Sequence, residues 1–294
     1  MNIKKKAASV FRSGLTLISP MLNTKVTYLV KFHKKLDLSN PITLNEKILW
    51  LKFNTYWNNP LIKQCADKYR VREYIERCGY PELLPELIGK YENVEEINWD
   101  KLPGRFALKL NVGCGYNIIV SDKKTLNIES TKSIMDKWLK SKYYLNHSEM
   151  QYKDVKPYIL IEEYLGDDNG SLPQDYKFYC MNGKSKYVMV CADREIGRAA
   201  KYYYFDRDWK MMPYTYDALN NCGNSIQKPE HIDLAFDYAE KLSNSFPFVR
   251  VDMYVVKGKV YFGELTFTPS AGMDVSRMPS TDKILGEQLI LPEK

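Results

Sequence analysis

The sequence has few of the residues on which many catalytic sites depend. Its three histidines, His33, His147 and His231, lie far apart in polar surroundings. The six cysteines form no C-x-x-C pair and have no histidine nearby, so they do not indicate a zinc site. They are typical of reduced thiols in a cytosolic protein. Chemistry that needs a histidine base is therefore not indicated, whereas phosphate and metal chemistry needs none.

Long apolar runs are also missing. No stretch approaches the roughly 20 apolar residues that span a bilayer, so no transmembrane helix is expected. Residues 1–6 are basic, but the apolar segment that follows is interrupted by Arg12 and lacks an A-x-A-type cleavage site, which argues against a secretory signal. Such a segment is either a solvated end or a helix that rests on an anionic membrane surface. We expect a cytoplasmic protein, with contact at the inner face of the membrane as the open alternative.

Charge and length narrow the class of partner. The net charge of +7, from 43 basic and 36 acidic residues, suits anionic ligands. Because the basic residues are dispersed, with no single aromatic-interleaved patch, nucleic-acid binding is not expected. A chain of 294 residues with 45% hydrophobic residues can bury a large core and divide into two lobes. No pattern predicts an oligomeric state.

The stretch 248–267 is the most informative part of the chain. Two apolar arms with period-two alternation flank Lys257-Gly258-Lys259, which predicts a β-hairpin with a tight turn. Counting outward from the turn places Asp252 and Glu264 across the ladder from each other, with Arg250 on the same face as Asp252. Paired acidic oxygens on buried strands suit Mg²⁺. The alternative is an ordinary hairpin with a surface ion pair.

A second feature is the strand at 105–110, which carries Lys109 in an apolar interior. A lysine there needs an anionic partner. The loop that follows contains Gly113 and Gly115, whose backbone N–H groups could approach a phosphate closely. The spacing matches neither the P-loop nor G-x-G-x-x-G, so this motif alone is weak.

The remaining patterns predict helices and strands in alternation. We expect helical structure over 20–62, with a capping box formed by Thr43 and Glu46, and a helix over 65–79 that ends at Gly79. Further helices are expected at 127–143 and 229–246. Strands are expected at 87–91 and 158–165, and a hairpin at 174–190 turns at Asn182-Gly183.

Seven short motifs in this order resemble the ATP-grasp superfamily, most closely its TupA-like branch, which is associated with teichuronopeptide and other cell-surface polysaccharide synthesis. They are NEK at 45–47, DKYRVR at 67–72, ALKLN at 107–111, IEEYL at 161–165, DYK at 175–177, RVD at 250–252 and GELTFTP at 263–269. The resemblance covers roughly residues 40–290. It implies an α+β fold in which two lobes grip ATP, with a helical N-terminal extension at 1–62, one lobe at 63–165 and the other at 166–294.

The resemblance also implies roles for individual residues. Those expected to bind ATP are Lys68 and Lys109 at the phosphates, Gly113 and Gly115 in a covering loop, Glu162, Glu163, Tyr164 and Leu165 around adenine, Asp175 at the ribose, and Lys177. Those expected to hold Mg²⁺ are Asp252, Glu264 and Thr266, the last standing where the superfamily usually has asparagine. Arg250 would stabilise charge on a reacting acyl phosphate. Separately, Arg194 and Lys201, in a polar segment between strands, are our candidates for catalytic contacts to the γ-phosphate, the alternative being a solvated loop.

These roles together imply an ATP-dependent ligase that joins a carboxylate to an amine through an acyl phosphate, with ATP and Mg²⁺. The polysaccharide association suggests a sugar acid or amino acid, as a small molecule or lipid-linked, as one substrate. Two alternatives remain at this point. Residues 167–169 could be the metal-binding acidic triplet of a glycosyltransferase, and the chain could bind nucleotide without turnover.

Overall fold

The computed structural model describes residues 3–167, 171–192, 201–220 and 226–293. The helices are α1 (Ile3–Ile18), α2 (Pro20–Phe32), α3 (Leu44–Leu51), α4 (Pro60–Ala66), α5 (Val71–Arg77), α6 (Ile128–Leu139), α7 (Tyr144–His147), α8 (Tyr216–Leu219), α9 (Ile232–Ser243) and α10 (Pro279–Gln288). The strands are β1 (Leu87–Tyr91), β2 (Phe106–Leu110), β3 (Asn117–Val120), β4 (Ile159–Glu163), β5 (Asp175–Met181), β6 (Lys184–Ala192), β7 (Lys201–Asp206), β8 (Met211–Met212), β9 (Phe248–Val256) and β10 (Lys259–Thr266).

The first sheet has four antiparallel strands in the order β1-β4-β2-β3. One of its faces is apolar and packs with Met135 of α6, while Phe106, Leu108 and Ile161 are fully buried in the same cluster. Strand β2 lies in the interior of the sheet between β4 and β3. Lys109 therefore stands on a central strand, as the sequence indicates.

The second sheet has six antiparallel strands in the order β10-β9-β5-β6-β7-β8. Both predicted hairpins are present in it. Asn182-Gly183 and Lys257-Gly258 each have positive φ at both residues, which is the two-residue turn that matches the twist of paired strands. The second turn is shorter than expected by one residue, because Lys259 already pairs with Val256 as the first residue of β10.

The helices differ from the sequence pattern at three places. The segment 20–62 is interrupted after α2, and the helix expected at 127–143 ends at Leu139, with α7 separate from it. The single helix expected at 65–79 is wrong, because α4 ends at Ala66 and Asp67 is extended. The Asp67 carboxylate accepts hydrogen bonds from the backbone of Tyr69 and Arg70 and from the Asn111 side chain, so it starts a new turn. Gly79 does follow α5 with φ +87°.

The capping box at the start of α3 is confirmed, and it fixes α2 against α3. Thr43 accepts from the backbone N–H of Glu46, and Glu46 accepts from the backbone of Ile42 and Thr43. Its other oxygen accepts from Tyr28 and Lys34. Burial raises the pKa of Glu46, but the hydrogen bonds from Lys34, Thr43 and Ile42 outweigh it and lower that pKa to about 2.

The C-terminal helix is tied to α3 by a buried arginine. Arg277 is fully buried and donates to Asp274, Asp282 and the side chain of Asn45. The same arginine lies over the ring of Tyr179 on β5. Two residues of the NEK motif at 45–47, Asn45 and Glu46, therefore have structural partners within the fold.

The sequence predicts no transmembrane helix and reduced cysteines. None of the helices within the described residues is both long and apolar enough to cross a membrane. Cys65, Cys78, Cys114 and Cys180 are free thiols in the part of the chain that the structure describes.

The Glu46 network predicts a pH-dependent contribution to stability. Glu46→Gln should lower the free energy of unfolding by about 2 kcal/mol at pH 7, because charge-assisted hydrogen bonds weaken. The folded-state pKa is depressed, so the contribution is present above the unfolded pKa near 4.5 and is lost as pH falls toward 2. Urea denaturation of the wild type and of Glu46→Gln should show a smaller difference in the free energy of unfolding at pH 3 than at pH 7. Glu96→Gln is the matched control, since it alters an exposed capping box at Asn93; an equal loss in both variants would contradict the prediction.

Candidate active site

Two carboxylates face each other across the hairpin of β9 and β10. Glu264 pairs in register with Asp252, as the count from the turn predicts, and a bulge at Gly263 adjusts the register between them. A Cβ at Gly263 would lie 2.9 Å from the carbonyl oxygen of Asp252, so only glycine allows this approach. The bulge therefore helps to bring the two acidic side chains to one place.

The Asp252 carboxylate is held by two cations. Arg250 donates to its two oxygens at 2.7 and 2.6 Å, and Lys177 donates at 2.8 Å from the facing position on β5. The Asp252 side chain is only 3% exposed. The pair of Arg250 and Asp252 is thus a buried one and differs from the surface ion pair of the alternative interpretation. Buried charges of this kind require close partners on every side.

Glu264 lies at the more open edge of the same charge cluster. Its side chain is 31% exposed, accepts a hydrogen bond from Thr266 at 3.0 Å and lies 3.6 Å from Lys68. Burial raises its pKa, but the charges of Lys68, Arg250 and Lys177 lower it to about 2. Glu264 is therefore an ionised oxygen donor that a cationic ligand can reach.

The oxygen donors of this cluster suit Mg²⁺ in their chemistry. Asp252, Glu264 and Thr266 supply two carboxylates and a hydroxyl, the hard ligands that Mg²⁺ prefers. Across the described ranges, no three His, Cys, Asp or Glu side chains gather closely enough to hold a metal. The set fits Mg²⁺ as a partial shell, of the kind completed by water and phosphate oxygens.

Lys177 and Asp175 stand two residues apart on β5 and share a face. Lys177 forms ion pairs with both Asp175 and Asp252. Burial lowers the pKa of Lys177, but the charges of Asp252 and Asp175 outweigh it and raise that pKa. The DYK motif at 175–177 therefore adds Asp175 and Lys177 to the charge cluster of β9 and β10.

Lys109 finds its anionic partner on the neighbouring strand. Its ammonium lies 2.5 Å from Glu162 of β4, a diagonal neighbour on the same face of the sheet. Arg72 lies 3.8 Å from the other oxygen of Glu162. The structure thus places the Glu162 carboxylate against two cations, whereas Glu163 accepts from the backbone N–H of Glu86.

The glycine loop between β2 and β3 contacts Lys68. The ammonium of Lys68 donates to the carbonyl oxygen of Gly113, and its backbone N–H donates to that of Asn111. Gly113 and Gly115 both have φ near +80°, a conformation that favours glycine. Lys68 is therefore shared between this loop and Glu264 of the second sheet.

A cavity of about 100 Å³ lies beside this cluster, between the two sheets. Ala107 and Ile119 line it from the first sheet, and Tyr254 lines it from β9. The segment from Glu163 through Tyr164 and Leu165 to Gly166 forms another wall. Its lining combines apolar side chains with a few polar groups, which is the general character of small-molecule sites.

A polar group that the sequence analysis missed adjoins Glu264. Glu149 is buried and accepts a hydrogen bond from Thr268 at 2.7 Å, while Gln151 donates to the same hydroxyl. Burial raises the pKa of Glu149. Lys52, from a π-helical turn at Lys52–Tyr56, donates to the carbonyl oxygen of His147, and burial lowers its pKa to about 8.

These side chains are far apart in sequence, so no local motif joins them. The one available signal was the alternation of Glu264, Thr266 and Thr268, which places the three on one face as β10 ends.

Of the two residues expected to contact the γ-phosphate, the structure describes only Lys201. Arg194 lies outside the described residues. Lys201 is the first residue of β7 and pairs with Ala192, with β5 and β6 between its strand and β9. Of the acidic triplet at 167–169, only Asp167 is described, and its carboxylate accepts from the backbone N–H of Ser171.

The sequence was compared with models of known protein families and with curated proteins. The family model for the TupA-like ATPgrasp matches residues 46–290. None of the curated proteins matches the sequence.

Similar solved structures include two amino-acid ligases from Bacillus species. The D-alanine–D-alanine ligase from Bacillus anthracis complexed with ATP is 16% identical with a TM-score of 0.47, over 76% of this chain and 61% of that one. The L-amino acid ligase from Bacillus licheniformis is 13% identical with a TM-score of 0.46, over 72% and 45%. This chain therefore spans less than two thirds of either ligase.

The glycine loop predicts different outcomes for two matched substitutions. Gly113→Ala and Gly115→Ala both place a side chain at φ near +80°, which costs about 1 kcal/mol. A Cβ at Gly113 would also lie 2.6 Å from the ring of Tyr143, whereas at Gly115 no atom of the described residues lies within 4 Å. Gly113→Ala should therefore lower the free energy of unfolding by about 1–3 kcal/mol more than Gly115→Ala. Equal losses in chemical denaturation would show that the loop does not pack on Tyr143.

Proposed function

Since the chain belongs to the TupA-like ATP-grasp family, we propose that it is an ATP-dependent ligase that joins a carboxylate to an amine. ATP is a substrate in this proposal and Mg²⁺ is its metal partner. The observation that supports it most is the charge cluster at the junction of the two sheets, where Arg250, Lys177 and Lys68 surround Asp252 and Glu264. Phosphoryl transfer asks a protein mainly to position its reactants and to neutralise charge.

The nucleotide would lie across both sheets. We assign adenine to the cavity beside Tyr164 and Leu165, and the ribose to the end of β5 at Asp175. The phosphates would approach Lys68 and Lys109, under the loop that holds Gly113. Both lysines have protein partners, Glu264 and Glu162 respectively, so phosphate binding would exchange one anion for another. The cations would therefore be positioned before the ligand arrives.

Charge at the reacting centre would be controlled by β9 and β10. Asp252, Glu264 and Thr266 would hold Mg²⁺, which supplies charge neutralisation at the phosphates when it is bound. Arg250 would stabilise the anionic oxygens of the carboxylate and of the group transferred to it. In the balanced reaction, a carboxylate oxygen attacks the terminal phosphorus and ADP leaves. The amine nitrogen then attacks the acyl carbon, phosphate leaves, and the nitrogen loses a proton.

The two sheets would be the two lobes of the grip. In this proposal, residues 63–165 form the lobe around the four-stranded sheet, residues 166–294 form the lobe around the six-stranded sheet, and residues 1–62 form a helical extension. Lys68 contributes to both sides, through Gly113 and Glu264.

The family association suggests the biological setting. We assign the enzyme to the synthesis of a cell-surface polysaccharide of the capsule or teichuronopeptide type, on the cytoplasmic side of the membrane. Its carboxylate would belong to a sugar acid or an amino acid, free or lipid-linked. Amide formation on such a polymer needs an activated carboxylate, which is what the charge cluster is suited to stabilise.

The reaction predicts that ADP and phosphate form only when a carboxylate substrate is present. A panel of uronic acids and amino acids should stimulate ADP release, and hydroxylamine should trap the acyl phosphate as a hydroxamate that mass spectrometry detects. Release of a nucleoside diphosphate from a nucleotide sugar without ATP would overturn the ligase proposal in favour of glycosyl transfer.

The variant for this assay is Glu264→Gln, which should abolish turnover while circular dichroism stays unchanged. Glu264 is preferred to Asp252, because Asp252→Asn would leave Arg250 and Lys177 buried without their main anion. Glu129→Gln, on an exposed part of α6, is the control. Turnover like that of the wild type in Glu264→Gln would remove this carboxylate from the mechanism.

A separate prediction concerns nucleotide affinity. Lys109→Ala should weaken binding of a nonhydrolysable ATP analogue by about 1.5–3 kcal/mol, because a charge-assisted contact is lost. Calorimetry gives the affinity. Lys124→Ala removes an exposed lysine near the same sheet and should leave it unchanged. Unchanged affinity in Lys109→Ala would make Lys109 a structural partner of Glu162.

A further inference from the structure

Helix α1 and the start of α2 contact the rest of the molecule through polar side chains. Arg12 of α1 donates to the side chain of Asn146, and the hydroxyls of Thr16 and Ser148 lie 2.9 Å apart. Asn23 of α2 donates to both hydroxyls. Thr16, Asn23 and Ser148 are all buried. The face of α1 that contacts the protein is therefore its polar face.

The opposite face of α1 is apolar and open to solvent. Val10, Phe11, Leu17 and Ile18 are between 60 and 77% exposed. Val10 and Leu17 are seven residues apart, as are Phe11 and Ile18, so the four lie on one side of the helix. Surface helices of globular proteins normally bury this side and expose the polar one.

Helix α2 also exposes apolar side chains. Leu22, Leu29 and Val30 are 42 to 70% exposed, with Leu22 and Leu29 again seven residues apart. Only Ser19 separates the two helices. Together, the exposed apolar side chains of α1 and α2 form what we term the N-terminal apolar face.

The charges within the N-terminal segment of the sequence have one sign. Residues 1–36 contain seven lysines and one arginine, and the first acidic residue of the chain is Asp37. Lys34 is paired with Glu46, but Lys6 and Lys25 are exposed. Apolar side chains beside unopposed basic ones match a bilayer with anionic headgroups, which offers acyl chains and negative charge in one surface.

We propose that the N-terminal apolar face is a docking surface for an anionic lipid bilayer, with α1 and α2 lying in the plane of the interface. The attachment is peripheral, since no described helix is fit to cross a membrane. This proposal does not depend on the reaction proposed above.

The docked orientation would place the charge cluster near the lipid surface. Asn146 and Ser148 contact α1 and α2, and the next residue, Glu149, bonds Thr268 at the end of β10. Four consecutive residues, 146–149, thus run from the polar side of α1 and α2 to the polar group beside Glu264. A substrate held in the membrane by a lipid would meet the protein at this side.

Vesicle flotation of the full chain tests the proposal. Binding to vesicles of phosphatidylglycerol and phosphatidylcholine should exceed binding to phosphatidylcholine alone by more than about tenfold, and should fall with added salt. The triple variant Phe11→Ser, Leu17→Ser and Ile18→Ser should lose vesicle binding by about tenfold or more while keeping its unfolding midpoint. Its matched control, Leu219→Ser, Val275→Ser and Ile290→Ser, removes similarly exposed apolar side chains elsewhere and should bind like the wild type.

Three results would overturn the proposal. One is equal binding to both kinds of vesicle. Another is an equal loss in the two triple variants. The third is absence of vesicle binding together with a dimer in analytical ultracentrifugation that the first triple variant disrupts, which would assign the face to a second copy of the chain. Binding of the wild-type protein to the two kinds of vesicle tests the docking proposal even where a variant fails to fold.

Discussion

The buried carboxylate of Asp252, held between Arg250 and Lys177, is the interaction on which the candidate site depends. Removing each of these charges from water costs several kcal/mol unless its partners are close. The contacts of 2.6 to 2.8 Å provide them, but only while β5, β9 and β10 keep their register. A slip of β9 by one residue would turn Arg250 and Asp252 to the face on which Val249, Val251 and Met253 are buried, away from Lys177. The charge group therefore requires one strand alignment, and that alignment also places Glu264.

Lys68 gives the two sheets a common electrostatic partner. It contacts the carbonyl oxygen of Gly113 beside the first sheet and the carboxylate of Glu264 on the second. The charges of Lys68, Arg250 and Lys177 keep Glu264 ionised even though burial opposes it. An anionic ligand entering between the sheets would compete with Glu264 for Lys68, and a cation would compete with Lys68 for Glu264. A metal–phosphate pair satisfies both at once, which is the physical case for that ligand class.

Local patterns predicted much of the fold, because hairpin turns, capping boxes and strand alternation depend on neighbours a few residues away. The α+β fold class and the ATP-grasp family were predicted correctly. The helix at 65–79 was wrong, because Asp67 starts a new turn through the backbone of Tyr69 and Arg70; its further hydrogen bond to Asn111, 44 residues later, lies beyond any local pattern. Glu149 was missed for the same reason, as Thr268 lies 119 residues away. The roles assigned to individual site residues stay predictions.

The N-terminal helices show a further limit of periodicity and also a source of information. A pattern of apolar and polar residues predicts an amphipathic helix, but it does not say which face meets the protein. Here the contacts of Thr16 and Asn23 with Ser148 decide the question, because buried hydroxyl and amide groups need partners that an apolar neighbour lacks. With the polar face in contact with the protein, the apolar face is left exposed among the described residues. Exposed apolar area is unfavourable by about 25 cal/mol per Å², so docking that covers this face would be favoured, and the surplus of basic residues selects an anionic surface.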